Sequence, residues 1–179
     1  MNNECVMKSR KKILVFLMVG IVLVVACQSK KEKLNAQIAV AEKEVVESYK
    51  TEAVNRLLTL YQKYTAAFPE DSLAVEYLFR SAEFNMRLNK GEEALANLDA
   101  VITKYPDSWR VPECYFLKGF VYEDVLYDLE NAENAYYEFV AHFPSHKLAR
   151  DASLAISYLG KSPEEIVASF NDSTLDVVE

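Results

Sequence analysis

From Gln28 to Phe68 the chain has neither Gly nor Pro, and Leu34, Ile38, Ala41, Val45 and Tyr49 recur every three or four residues with charged residues between them. Apolar groups at that spacing fall on one side of an α-helix, so the stretch predicts an amphipathic helix. A second series, Leu57, Leu60, Tyr61, Tyr64 and Phe68, keeps the same period. The two series predict separate helices with a break between Ser48 and Thr51.

An aromatic-proline pair then recurs as Phe68-Pro69, Tyr105-Pro106 and Phe143-Pro144, with prolines 37 and 38 residues apart. Polar turn residues follow each pair: Glu70-Asp71-Ser72, Asp107-Ser108 and Ser145. Proline disfavours helical conformation in the residue before it, so each pair predicts the end of one helix and the start of another. Thirteen residues after each proline stands a small residue, Ala82, Gly119 or Ser157, where helices are expected to approach closely. Ten residues after it stands Phe79, Phe116 or Leu154, expected to fill the space beside that contact. Twelve residues before Pro106 and Pro144 lie Ala94 and Ala132, inside the predicted second helix of each unit.

Ala82, Ala94 and Pro106, each twelve residues from the next, resemble the landmarks of the tetratricopeptide repeat. The resemblance implies an all-α fold: a right-handed superhelical stack of antiparallel helix pairs, a tetratricopeptide-like solenoid, over 34–170. The spacing exceeds the usual 34 residues of that repeat, which predicts longer turns between units. Gly119 to Ala132 is thirteen residues, which predicts one inserted residue in the turn between Leu126 and Leu129. The end units are degenerate, with Val45 where a small residue is wanted and a last unit that shortens after Ser157. Ser162-Pro163-Glu164-Glu165 is a helix-start signal, with Ser as N-cap, Pro in the first turn and Glu three residues after the cap. It predicts a short capping helix through Phe170 and an acidic frayed tail over 171–179.

The first 27 residues differ from the rest. Lys8, Arg10, Lys11 and Lys12 precede an uncharged run from Ile13 to Cys27, too short for the ~20 apolar residues of a membrane-spanning helix. The run ends at Val24-Val25-Ala26-Cys27, which resembles the lipobox of bacterial lipoproteins. That resemblance implies a signal peptide over 1–26, lipidation of Cys27, and an anchor and tether over 27–33, with the covalent lipid in place of any cofactor. The compact opening from Met7 is expected to be the true start. Several acyl chains would make the anchoring durable, since each buried CH₂ contributes ~0.8 kcal/mol.

Composition narrows the function. Only 4 Gly and 5 Pro in 179 residues disfavour an all-β domain with many tight turns. Of 20 Lys and Arg, four precede Cys27, and of 27 Asp and Glu only Glu4 does, so the processed chain would carry a net charge of −10. No nucleic-acid partner is expected of so acidic a body. Lys30, Lys31 and Lys33 are read as neighbours of lipid headgroups. Cys114 is the one thiol after Cys27, which leaves no pair for an internal disulfide, and it is assigned to packing. His142 and His146 flank Pro144, which breaks any shared helical face, and no third ligand accompanies them; no metal is expected. Without a phosphate loop, nucleophile elbow or converging carboxylates, no enzyme is expected.

Repeat stacks bind partners along the face lined by first-helix residues. In the resembling family those inward positions map onto Glu76, Phe79, Glu83 and Met86 in one unit and Glu113, Phe116, Phe120 and Glu123 in the next. The expected groove is aromatic and acidic, suited to a basic or apolar extended segment. For Phe79 and Phe116, burial between helices stands as an equal alternative. Lengthened repeats behind a lipobox are similar to the lipoprotein subunit of the outer-membrane β-barrel assembly machinery, although this chain is shorter. The likeness implies a scaffold on the periplasmic side of the outer membrane, binding an envelope-assembly protein. Gln28 after Cys27, where Asp would favour the inner membrane, agrees with that location. The alternatives are an adaptor of cell-division or peptidoglycan machinery and a lipoprotein that captures peptide or glycan.

Overall fold

A computed structural model describes residues 28–168; the leader, Cys27, and the tail with the end of the predicted capping helix lie outside them. The described residues are helical, without strands, and fall into two compact units that divide between Glu70 and Asp71.

The first unit is a helical hairpin. Helix α1 covers 28–47 and α2 covers Thr51–Ala67, so the break falls at 48–50. Leu34, Ile38, Ala41 and Val45 are buried on α1, and Ala53, Val54, Leu57, Tyr61 and Tyr64 on α2. Tyr49, expected to extend the first apolar series, is 50% exposed because the helix stops before it. Two polar contacts tie the helices together. The Tyr61 hydroxyl donates to Glu42 at 2.6 Å, and Arg56 donates to Glu44 at 3.0 Å.

The second unit holds α3 (Ser72–Arg87), α4 (Gly91–Lys104), α5 (Val111–Phe120), α6 (Leu129–His142), α7 (Ala149–Tyr158) and α8 (163–168). Each of α3 to α7 packs against the next, as in a tetratricopeptide-like helical solenoid. One apolar cluster joins α3, α4 and α5 around Phe79, Ala82, Ala94, Leu98 and Cys114. A second joins α5, α6 and α7 around Ala132, Tyr136, Phe139 and Ala152.

The aromatic-proline pairs end helices in one repeated conformation. Phe68, Tyr105 and Phe143 have φ near −136°, −133° and −131° and ψ near 58°, 57° and 54°. Each still donates its N–H to the carbonyl four residues back, on Tyr64, Val101 and Phe139. The ψ value then leaves the helical basin, as a following proline ring favours.

Connections within the pairs are equally uniform. Residues 88–90 join α3 to α4 and 126–128 join α5 to α6, with Asn89 and Tyr127 at the centre in left-handed conformation, φ 57° and 56°. The extra residue of the second pair therefore does not lengthen its turn, as expected between Leu126 and Leu129. It sits in a π-helical turn, Val121–Val125, where the Leu126 N–H reaches back five residues to the Val121 carbonyl at 3.0 Å. Val121 is fully buried, so the wider turn keeps it in the core while the connection keeps its three residues.

Ala82, Ala94 and Ala132 have no exposed surface, and Gly119 is buried. Ser157, expected at a close approach, is exposed, and its hydroxyl donates to the Leu154 carbonyl at 2.7 Å. Leu154 is 40% exposed instead of filling the core. The described second helix of this last pair, α8, has only six residues and covers neither. Its start does carry the capping box: Ser162 N–H donates to Glu165 at 2.7 Å and Glu165 N–H to the Ser162 hydroxyl at 3.2 Å. Pro106 and Pro144 are exposed; they act by ending helices and not by packing.

A Cβ built on Gly119 would lie 2.5 Å from two ring carbons of Tyr136, a residue only 2% exposed. Gly119→Ala should destabilise the protein by up to about 2 kcal/mol, because overpacking of about 1–3 kcal/mol is offset by a gain of about 1 kcal/mol in helix propensity. Urea unfolding checks this, and an unchanged or raised midpoint would show that Tyr136 can yield.

Candidate partner groove

The predicted groove residues lie along α3, α5 and the π turn, but they do not form an aromatic trough. Phe79 is 5% exposed and belongs to the first apolar cluster, against which Met86 also packs. Phe116 packs into the second cluster, its ring 5.7 Å from Tyr136 and 5.6 Å from Phe139. Of the large apolar groups ten residues after the prolines, Phe79 and Phe116 thus serve the core, because the helix pairs meet on that side, while Leu154 does not. Phe116 and Phe120 are both half-buried, but Phe120 belongs to neither cluster and so has less of its surface committed to the core.

Among the predicted residues, Arg110 gathers Glu76 and Glu113. It stands just before α5 and reaches back to α3, where Nε and Nη2 donate to Glu76 at 3.1 and 2.8 Å. Its Nη1 donates to Glu113 at 2.7 Å. The guanidinium carbon lies 4.0 Å from the ring centroid of Phe79 and 4.0 Å from that of Trp109. A planar cation held by two carboxylates and two rings is oriented in every direction; each ring contact is worth about 0.5–2 kcal/mol. Arg80 adds to the lattice at 3.1 Å from Glu76, and Lys147 lies 3.6 Å from Glu113.

These contacts set the charge of the surface. Burial alone would raise the Glu76 carboxyl, but hydrogen bonds from Arg110 and Arg80 outweigh it and hold the group below its ordinary range. Burial would lower Arg110, and its bonds to Glu113 and Glu76 more than restore it. Glu83 is different. Desolvation by the surrounding protein raises its carboxyl, against the weaker pull of Arg110 and Arg87, although much of its side chain is exposed. Solvent access keeps the energetic weight of that shift small. Glu123 faces the other way, accepting from the Tyr136 hydroxyl at 2.8 Å, a bond that supports the fold.

The groove is therefore less acidic than its sequence, with Glu76 and Glu113 engaged by Arg110 and Glu83 left as the carboxylate a partner can meet. Arg80, Trp109 and Arg110 escaped the sequence reading, which followed acidic and aromatic positions along first helices. The signal was present: Arg110 lies 34 residues after Glu76, one typical repeat length, and Trp109 is the sole tryptophan and 68% exposed.

Other candidates are accounted for by packing. Cys114 is fully buried, and desolvation pushes its thiol up to about 12, unsuited to nucleophilic work at neutral pH. His142 stacks on Tyr115 at 5.3 Å, and His146 meets the Phe139 ring edge-on at 5.7 Å. Among the described residues no three His, Cys, Asp or Glu side chains cluster to hold a metal, and no helix is long and apolar enough to cross a membrane.

Glu76→Gln should lower unfolding free energy by about 1–3 kcal/mol at neutral pH, because a largely buried guanidinium loses its bidentate partner. The folded Glu76 titrates below its ordinary 4.5. The wild-type advantage is therefore complete above that value and disappears as pH falls through the folded one. Urea unfolding at pH 7 and at about pH 3 measures it; an equal deficit at both would make the role steric.

Residues 76–108, from the middle of α3 through α4 to the turn before α5, match the family described as tetratricopeptide repeat. Comparison with curated proteins returned no significant match. A tetratricopeptide repeat, a module of protein–protein interaction, is thus present in the second unit.

Proposed function

We propose that the protein is a lipid-anchored, non-catalytic scaffold of the bacterial envelope that docks another protein on the outward stripe of α3 and α5. The observation that carries this reading is the tetratricopeptide repeat at 76–108, whose first helix presents Glu83 beside a surface immobilised by Arg110. A preordered surface loses little side-chain entropy on binding. Its remaining features, the exposed Glu83 carboxylate and the half-buried Phe120, suit an extended segment with a basic and an apolar side chain. The lipobox ending at Cys27 supports anchoring, and Gln28 after it supports the periplasmic side of the outer membrane, with a role in assembling envelope proteins. The covalent lipid is the only non-protein group the reading calls for; it involves no metal, cofactor or nucleic acid.

The test is a pull-down from lightly cross-linked envelope fractions, comparing wild type, Cys27→Ala and Glu83→Lys, with captured proteins identified by mass spectrometry. Barrel-assembly subunits captured by wild type, reduced at least tenfold by Glu83→Lys and redistributed by Cys27→Ala, are expected. Capture of division proteins alone would move the protein to another process, and capture indifferent to Glu83→Lys would remove the groove. With a purified partner, affinity should fall as pH drops through the raised value of Glu83, because the cation it meets favours the ionised form. Glu83→Gln should flatten that part of the profile.

A further inference from the structure

The hairpin of the first unit has a seam that the proposed groove does not involve. Between α1 and α2 run two contiguous hollows of about 540 and 570 Å³, sharing Lys33, Gln37 and Lys63. On α1 they extend from Lys30 to Glu44, fourteen helical rises or about 21 Å. Much of the apolar lining is open: Val40 is 70% exposed, Ala36 is exposed and Leu60 half-buried.

The charge along the seam is uneven. At one end Arg56 and Glu44 neutralise one another at 2.8 Å. At the other, Lys30 and Lys33 on α1 share a hollow with Lys63 on α2, and none of the three pairs with a carboxylate among the described residues. Three like charges around an apolar hollow repel one another, in a chain whose acidic groups outnumber its basic ones by 27 to 20. A ligand that brings both apolar side chains and carboxylates relieves that repulsion and covers the exposed valine.

We infer that the α1–α2 seam is a docking site for an amphipathic helix of a protein partner, with an apolar stripe against Ala36, Val40 and Leu60 and carboxylates at the end that meets Lys30, Lys33 and Lys63. The length fits a helix of about four turns, whose side chains at i, i+3, i+4 and i+7 form a ridge for such a groove. A bilayer surface is the competing occupant, and binding to vesicles distinguishes it. The seam shares no residue with the α3–α5 stripe, and the two proposals stand or fall independently.

The test is selection of a displayed library of random 16-residue peptides on the purified full chain, followed by fluorescence anisotropy with the enriched peptides. Enriched sequences should be helical and amphipathic with Asp or Glu at one end. Their affinity should fall at least tenfold in Lys33→Glu/Lys63→Glu and in Val40→Asp, with unchanged circular dichroism. A peptide whose acidic residues are exchanged for Lys should regain binding to Lys33→Glu/Lys63→Glu. No selected peptide, no acidic enrichment, or affinity indifferent to these changes would overturn the inference. So would phosphatidylglycerol-vesicle binding or self-association that the lysine variant abolishes while no acidic peptide is selected; those results would assign the seam to a lipid surface or a second copy.

Discussion

A proline ring disfavours the helical basin for the residue before it, and at three helix ends along this chain that residue is a large aromatic. The combination does two things at once. The backbone is turned out of the helix at Phe68, Tyr105 and Phe143 in nearly one conformation, while the N–H of the same residue still closes the last helical turn. The aromatic side chain stays near the helix it ends: Phe68 lies 5.2 Å from Tyr64 and Phe143 5.8 Å from Phe139. Helix length, the direction of the outgoing chain and the end of the core are thereby fixed together. The spacing of these pairs becomes the spacing of the structure.

On that frame Arg110 serves as a clasp between successive first helices. It leaves the turn after α4, crosses to Glu76 on α3 and holds Glu113 on its own helix. Its position between Phe79 and Trp109 keeps the guanidinium planar against apolar surface while its donors meet carboxylates at the edge. Electrostatics and packing thus reinforce one another in a single side chain. The neighbouring surface gains rigidity and loses much of its negative charge.

The helices and their order were legible because helix periodicity and pre-proline geometry are local effects, written within a few residues. The break near Ser48 and the capping box at Ser162 are of that kind. The extra residue between Gly119 and Ala132 could be counted but not located, since a helix can absorb it by widening a turn as readily as a loop can. Phe79 and Phe116 were ambiguous for a different reason: a first-helix residue borders both the groove and the next helix, and the choice depends on how closely the helices approach. Ser157 and Leu154 follow the repeat register yet lie exposed, because the six described residues of α8 cover neither. Arg110 lay beyond local pattern, since its meaning depends on a carboxylate one repeat away.

The π turn at the end of α5 shows where this architecture keeps its tolerance. The connection of three residues, with its left-handed centre at Tyr127, is the same as the one at Asn89, although the helix before it carries one more residue than the repeat calls for. The helix gave way and the joint did not. Variation in unit length can therefore accumulate inside helix ends without disturbing the angle at which the next helix departs. An array built this way can drift in sequence length while its units stay in step.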